Sequence, residues 1–110
     1  SPAEAQDILS KLLTNHIPVN GLFTSESVRV KITGFVHSVS PSLTISISRP
    51  PLDNRGWITV RPFDRPCEFS YGEKREAPEE ARRLANEFGE SVLMMRFPDR
   101  GEVLTLFFTI

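Results

Sequence analysis

Arg49, Arg55, Arg61 and Arg65 recur through a short stretch that also holds the chain's one tryptophan, Trp57. A guanidinium group binds phosphate through paired N–H donors, and an indole stacks on a flat base. On a strand, Trp57 and Arg61 would share one face. The grouping points to an anionic, phosphate-bearing ligand or nucleic acid held by Arg49, Arg55, Trp57, Arg61 and Arg65. A plainer account has Asp53 and Asp64 pairing with these arginines on a solvated edge while Trp57 fills the core.

Residues suited to catalysis are sparse. A nucleophilic cysteine needs a neighbouring base to raise its thiolate fraction. Cys67, the only cysteine, stands between Pro66 and Glu68 in a stretch that alternates with Phe69, which suits a small buried apolar residue. His16 falls at a helix end, where a cation complements the dipole, and His37 falls in a strand. With Cys67 they match no metal-ligand spacing. Glu79-Glu80 reads as the acidic opening of a helix, and Glu73 and Glu76 sit in a charged connection. The chain contains no Gly-rich phosphate loop, nucleophile elbow or metal-binding helix motif. These features predict no enzyme, no metal and no cofactor.

The elements that must position these residues follow from periodicity. Ser1-Pro2-Ala3-Glu4 is a capping box, and Ala5, Ile8, Leu9, Leu12 and Leu13 form one helical stripe. Pro18 ends that helix near Asn15. Ile17–Phe23 reads as a first strand. Val28, Val30 and Ile32 alternate with Arg29, Lys31 and Thr33; Leu43, Ile45 and Ile47 alternate with Thr44, Ser46 and Ser48. A period of two marks half-buried antiparallel strands. Gly34 breaks the first phase, ahead of Phe35, Val36 and Val39, and suggests a bend or bulge.

Gly56–Val60 and Cys67–Tyr71 read as further strands, with Pro62 and Pro66 confining the first to an edge. Pro78-Glu79-Glu80 opens a second helix with Ala81, Leu84, Ala85 and Phe88 as its stripe and Gly89 as its stop. Glu79 and Arg83 are spaced to pair on it. Val92–Phe97 and Val103–Ile110 form a hairpin about Pro98-Asp99-Arg100-Gly101. Leu104, Leu106, Phe108 and Ile110 lie on one face of its last strand, and Val103 and Phe107 on the other. Such a strand lies centrally or meets another chain.

Bulk properties set the frame. One core suits 110 residues. A net charge of −1 gives no global field for nucleic acid or an anionic membrane. The charge is nonetheless uneven. Pro41–Pro66 holds four arginines and two aspartates, and Cys67–Glu90 holds seven glutamates against four cations. No apolar run approaches the ~18 residues of a membrane span. The first apolar run is amphipathic without a basic leader, so a cytoplasmic address is expected.

Two families share parts of this pattern. Val28, Val30, Ile32, Gly34, Val36, Val39, Leu43 and Ile45, preceded by a helix ending His16-Ile17-Pro18-Val19, resemble the first motif of the Sm/Hfq group of RNA-binding barrels. The likeness covers residues 1–47. Ser40 stands where that motif has an aspartate and Thr44 where it has an RNA-contacting asparagine, so the likeness implies a small barrel and not the family's RNA contacts. Arg61-Pro-Phe-Asp-Arg65 is similar to the Arg-x-x-x-Arg of the PilZ domain, a cyclic-dinucleotide-binding barrel. Here it follows rather than precedes the nearest second-motif candidate, Ser38–Leu43, which lacks the family's acid or amide and its glycine. That resemblance implies the barrel shape alone.

The sequence thus predicts a single α+β domain over residues 1–110. It has an N-terminal helix, a bent antiparallel sheet or small β-barrel of five strands from Ile17 to Tyr71, a second helix and a C-terminal hairpin. Two functions fit it best: a non-enzymatic binding or regulatory module for an anionic ligand or nucleic acid, and a structural or protein–protein interaction domain; a third class, a hydrolase or metal enzyme, would use His37, Cys67 and a carboxylate. The second would use the sheet edge and the Phe107/Phe108 strand, with self-association expected.

Overall fold

The computed structural model describes residues 1–49, 54–84 and 88–110, with the side chains of Ser48, Arg49, Asn54, Arg55 and Leu84 left aside. Helix α1 spans Pro2–Thr14 and is capped by Ser1, whose hydroxyl accepts from the Glu4 backbone N–H. Strands β1 (Val19–Thr24), β2 (Arg29–Ser38), β3 (Leu43–Arg49), β4 (Asn54–Val60) and β5 (Glu68–Glu73) follow. A single 3-10 turn (Lys74–Glu76), helix α2 (Glu79–Leu84) and strands β6 (Ser91–Phe97) and β7 (Glu102–Phe108) complete the order. Ala85, assigned from sequence to the stripe of α2, lies outside the described residues.

All seven strands belong to one antiparallel sheet, in the order β4-β3-β2-β1-β7-β6-β5. The sheet is not closed, so the bent-sheet expectation holds and the barrel one does not. Nor do the first five strands form the sheet alone. β5 pairs with β6, at the far edge from β4, and the two meanders join where β1 pairs with β7. Pro62 and Pro66 cannot donate to a ladder, and they send the chain after β4 across to the other edge. Phe63 of that crossing stacks on Phe69 of β5 at 5.6 Å.

The two faces differ. On the inner face Val19, Ile32, Val36, Leu43, Ile45, Ile47, Leu104, Leu106 and Phe108 pack under Ala5, Ile8, Leu9 and Leu12 of α1. On the outer face Leu22, Val92 and Phe107 meet Ala77 and Ala81. Strand β7 is therefore covered on both sides within the chain. Phe107 and Phe108 are fully buried, which meets the apolar excess of this strand without a second copy.

Close backbone approach is visible at two glycines. A Cβ on Gly34 would lie 1.6 Å from the Ser46 carbonyl oxygen, and one on Gly21 would lie 1.9 Å from that of Thr105. Gly34 does not break the phase of β2 as the sequence reading has it. Val30, Ile32, Gly34 and Val36 continue on the inner side, and the register shifts further on, between Val36 and Ser38. Phe35 consequently stands on the outer face.

Candidate functional site

The outer face of β2–β4 carries the chemistry-bearing residues. Ser46 is paired with Phe35 on one side and with Trp57 on the other, so Phe35, Ser46 and Trp57 form one row across three strands. Both aromatic side chains are exposed, Trp57 to 58% and Phe35 to 36%. A tryptophan exposed this far forgoes the burial that normally dominates its energetics. Trp57 therefore does not fill the core.

His37 links the row. Its Nε2 hydrogen-bonds the Ser46 hydroxyl at 2.9 Å, and its ring meets the Trp57 indole edge-on at 5.0 Å. Along β4, Thr59 follows Trp57 on the same side and lies 3.5 Å, oxygen to oxygen, from Thr44 of β3. Arg55 stands two residues before Trp57, opposite Ser48, and Arg49 pairs with Asn54; both arginines are described in backbone only. Strands β2, β3 and β4 together carry Arg29, Lys31, Arg49 and Arg55 and no carboxylate. The near-neutral chain thus has a locally cationic sheet.

Arg61 and Arg65 part from this row. Strand β4 ends at Val60, so Arg61 does not continue Trp57's strand as expected. The two arginines line a cavity of about 200 Å³ with Thr59, Arg100 and Glu102. Arg61 Nε donates to Asp64 at 2.8 Å. That hydrogen bond holds the Asp64 carboxyl below the usual carboxylate range and raises the Arg61 guanidinium. The pairing foreseen for a solvated edge is thus real at Arg61. Arg100 joins from the β6–β7 turn, and no local sequence signal could have placed it there.

His16, Phe35 and His37 were missed as a group. His16 is the residue after the α1 C-cap and adopts the left-handed conformation, φ 52°. The Ile17 N–H reaches Leu12 O at 3.1 Å and the His16 N–H reaches Leu13 O at 3.3 Å, the paired bonds of a Schellman end. The His16 ring then meets Phe35 edge-on at 5.5 Å. The signal for Phe35 was an aromatic residue on the otherwise polar side of β2.

Cys67 lies elsewhere, half-buried against the inner core. Burial pushes its thiol up from 9.0 to about 11, with the Glu68 charge adding to the effect. It stands just before β5 and packs toward the inner face, whereas His37 stands on the outer one. Among the described residues no group of three histidine, cysteine or carboxylate side chains is placed to hold a metal ion, and no helix is long and apolar enough to cross a membrane. No family model, curated protein or solved structure matches this chain.

Proposed function

We propose that this chain is a non-enzymatic binding module that lays a short single strand of nucleic acid across the outer face of β2–β4. One observation carries the reading: the exposed Phe35–Ser46–Trp57 row stands on three strands that hold no carboxylate and four cations, of which Arg29 is ion-paired with Glu80 of α2. Single strands bind where aromatic side chains stack on bases and a basic surface follows the phosphates. Trp57 and Phe35 supply the stacking. Arg49 and Arg55, at the β3–β4 end, take phosphates on one side of Trp57.

Fluorescence anisotropy of an end-labelled single-stranded decanucleotide tests this. Affinity falls as salt rises, because bound phosphates release counterions. Replacing both Arg49 and Arg55 by alanine weakens binding and flattens the salt slope by about 0.7 for each phosphate no longer neutralised. Trp57→Ala costs roughly 1–3 kcal/mol, the contribution of one stacked base. An oligonucleotide affinity unchanged by all three replacements would sink the proposal.

The second reading, a structural or protein–protein interaction domain, is favoured by the open edges. Strands β4 and β5 each leave one side unpaired within the sheet. A sheet edge can add a strand from a partner. This reading loses its C-terminal strand, because Phe107 and Phe108 are buried. Mass that rises with concentration, together with no oligonucleotide binding, would favour it.

A further inference from the structure

We propose that the cavity between the end of α1 and strands β2–β3 holds one purine or pyrimidine base. Its volume is about 430 Å³, and His16, Phe35, His37, Ser46 and Phe88 are among the residues that line it. Small-molecule sites run from roughly 300 to 1,000 Å³ and combine apolar walls with a few placed polar groups. No lysine, arginine or carboxylate is among the residues lining this cavity, so its occupant is a neutral group and not the phosphate. Phe35 and His16 offer ring surfaces to a flat heterocycle. The Ser46 hydroxyl, bonded once to His37, keeps capacity for a further hydrogen bond to the base edge.

The walls are held in place at a cost. A non-glycine residue in the left-handed region costs about 1–2 kcal/mol, yet His16 occupies it and so brings its ring to Phe35. Strained positions of this kind cluster at ligand sites. The Phe88 wall is tied to the sheet by Asn20, which is fully buried and donates from Nδ2 to the Phe88 carbonyl at 2.7 Å. Through His37 the cavity adjoins Trp57, so a base seated here continues a strand stacked on the outer face. The choice of a nucleobase rests on the single-strand reading.

Protein-observed NMR with adenosine, cytidine and uridine tests the cavity without any phosphate. Saturable shifts of the His16, Phe35 and His37 ring resonances are expected with at least one nucleoside. His16→Gly removes the ring while relieving the backbone, so the fold is kept and nucleoside affinity drops about fivefold or more, as expected when one stacking partner is removed. Phe35→Ala does the same by a second route. Nucleosides that bind here without any oligonucleotide affinity uphold the cavity and refute the single-strand reading. An oligonucleotide that binds while no nucleoside moves these rings upholds that reading and overturns the cavity. Silence in both experiments overturns both.

Discussion

His16 shows how one residue joins a helix end to the sheet. Glycine is the usual occupant of its backbone position, because it lacks the Cβ that crowds the left-handed region. His16→Gly is therefore expected to stabilise the domain by about 1 kcal/mol, which at this size raises Tm by roughly 4–8 °C. Thermal denaturation followed by circular dichroism checks this; an unchanged or lower Tm would mean that the ring's packing on Phe35 outweighs the strain. Cys67 makes the opposite case, a reactive residue type kept quiet. With its thiol at about 11, the thiolate fraction at pH 8 is about a hundredfold below that of an ordinary thiol at 9.0. Alkylation by iodoacetamide should be slow at pH 8 and should accelerate as pH approaches 11. Fast modification at pH 8 would contradict the burial.

At the scale of elements, two glycines let neighbouring strands approach without a side chain between them. Gly34→Ala places a methyl group against the Ser46 backbone, which cannot swing aside as a side chain would. The loss is expected to exceed about 3 kcal/mol, among the larger effects of single substitutions. Urea denaturation measures it, and a destabilisation below about 1 kcal/mol would show that β2 and β3 separate easily there. Much of the element order was legible in sequence. The Ser1 cap and stripe of α1, the alternation of β2 and β3, and the final hairpin each follow from a local pattern. The destination of β5 was not legible, because pairing with β6 and not β4 is set by the crossing at Phe63 and by closure of β1 on β7. Phe35 was misplaced because Gly34 was read as the phase change, whereas the shift lies beyond Val36. Of the sequence-named site, Trp57 holds its place on an open face, and Arg61 is turned away by the end of β4.

Over the whole molecule, charge is sorted by region more than by total. Strands β2–β4 are free of carboxylates, while β5 through α2 are rich in glutamate. An ion pair between Arg29 of β2 and Glu80 of α2 joins the two regions. The hydrogen bond from Arg29 lowers the Glu80 carboxyl, as that from Arg61 lowers Asp64. A carboxyl depressed in the folded state stabilises above its unfolded pKa and loses that contribution as pH falls through the folded value. Tm should hold from neutral pH to about 5 and decline below about 4, where unpaired carboxylates also protonate. Glu80→Gln should shallow that decline slightly, since exposed pairs are well screened. A decline identical in the two proteins would show that the pair adds nothing to folding.

The proposed function has the outer face of β2–β4 bind single-stranded nucleic acid by stacking on Trp57. Trp57 is the only tryptophan, so its fluorescence reports on this face and on no other. The most direct measurement titrates the protein with an unlabelled single-stranded decanucleotide at low salt while following that emission. Saturable quenching is expected, reversed by added salt and weakened by the Arg49→Ala/Arg55→Ala double replacement. Emission that stays constant, whether the oligonucleotide binds elsewhere or does not bind, would contradict it.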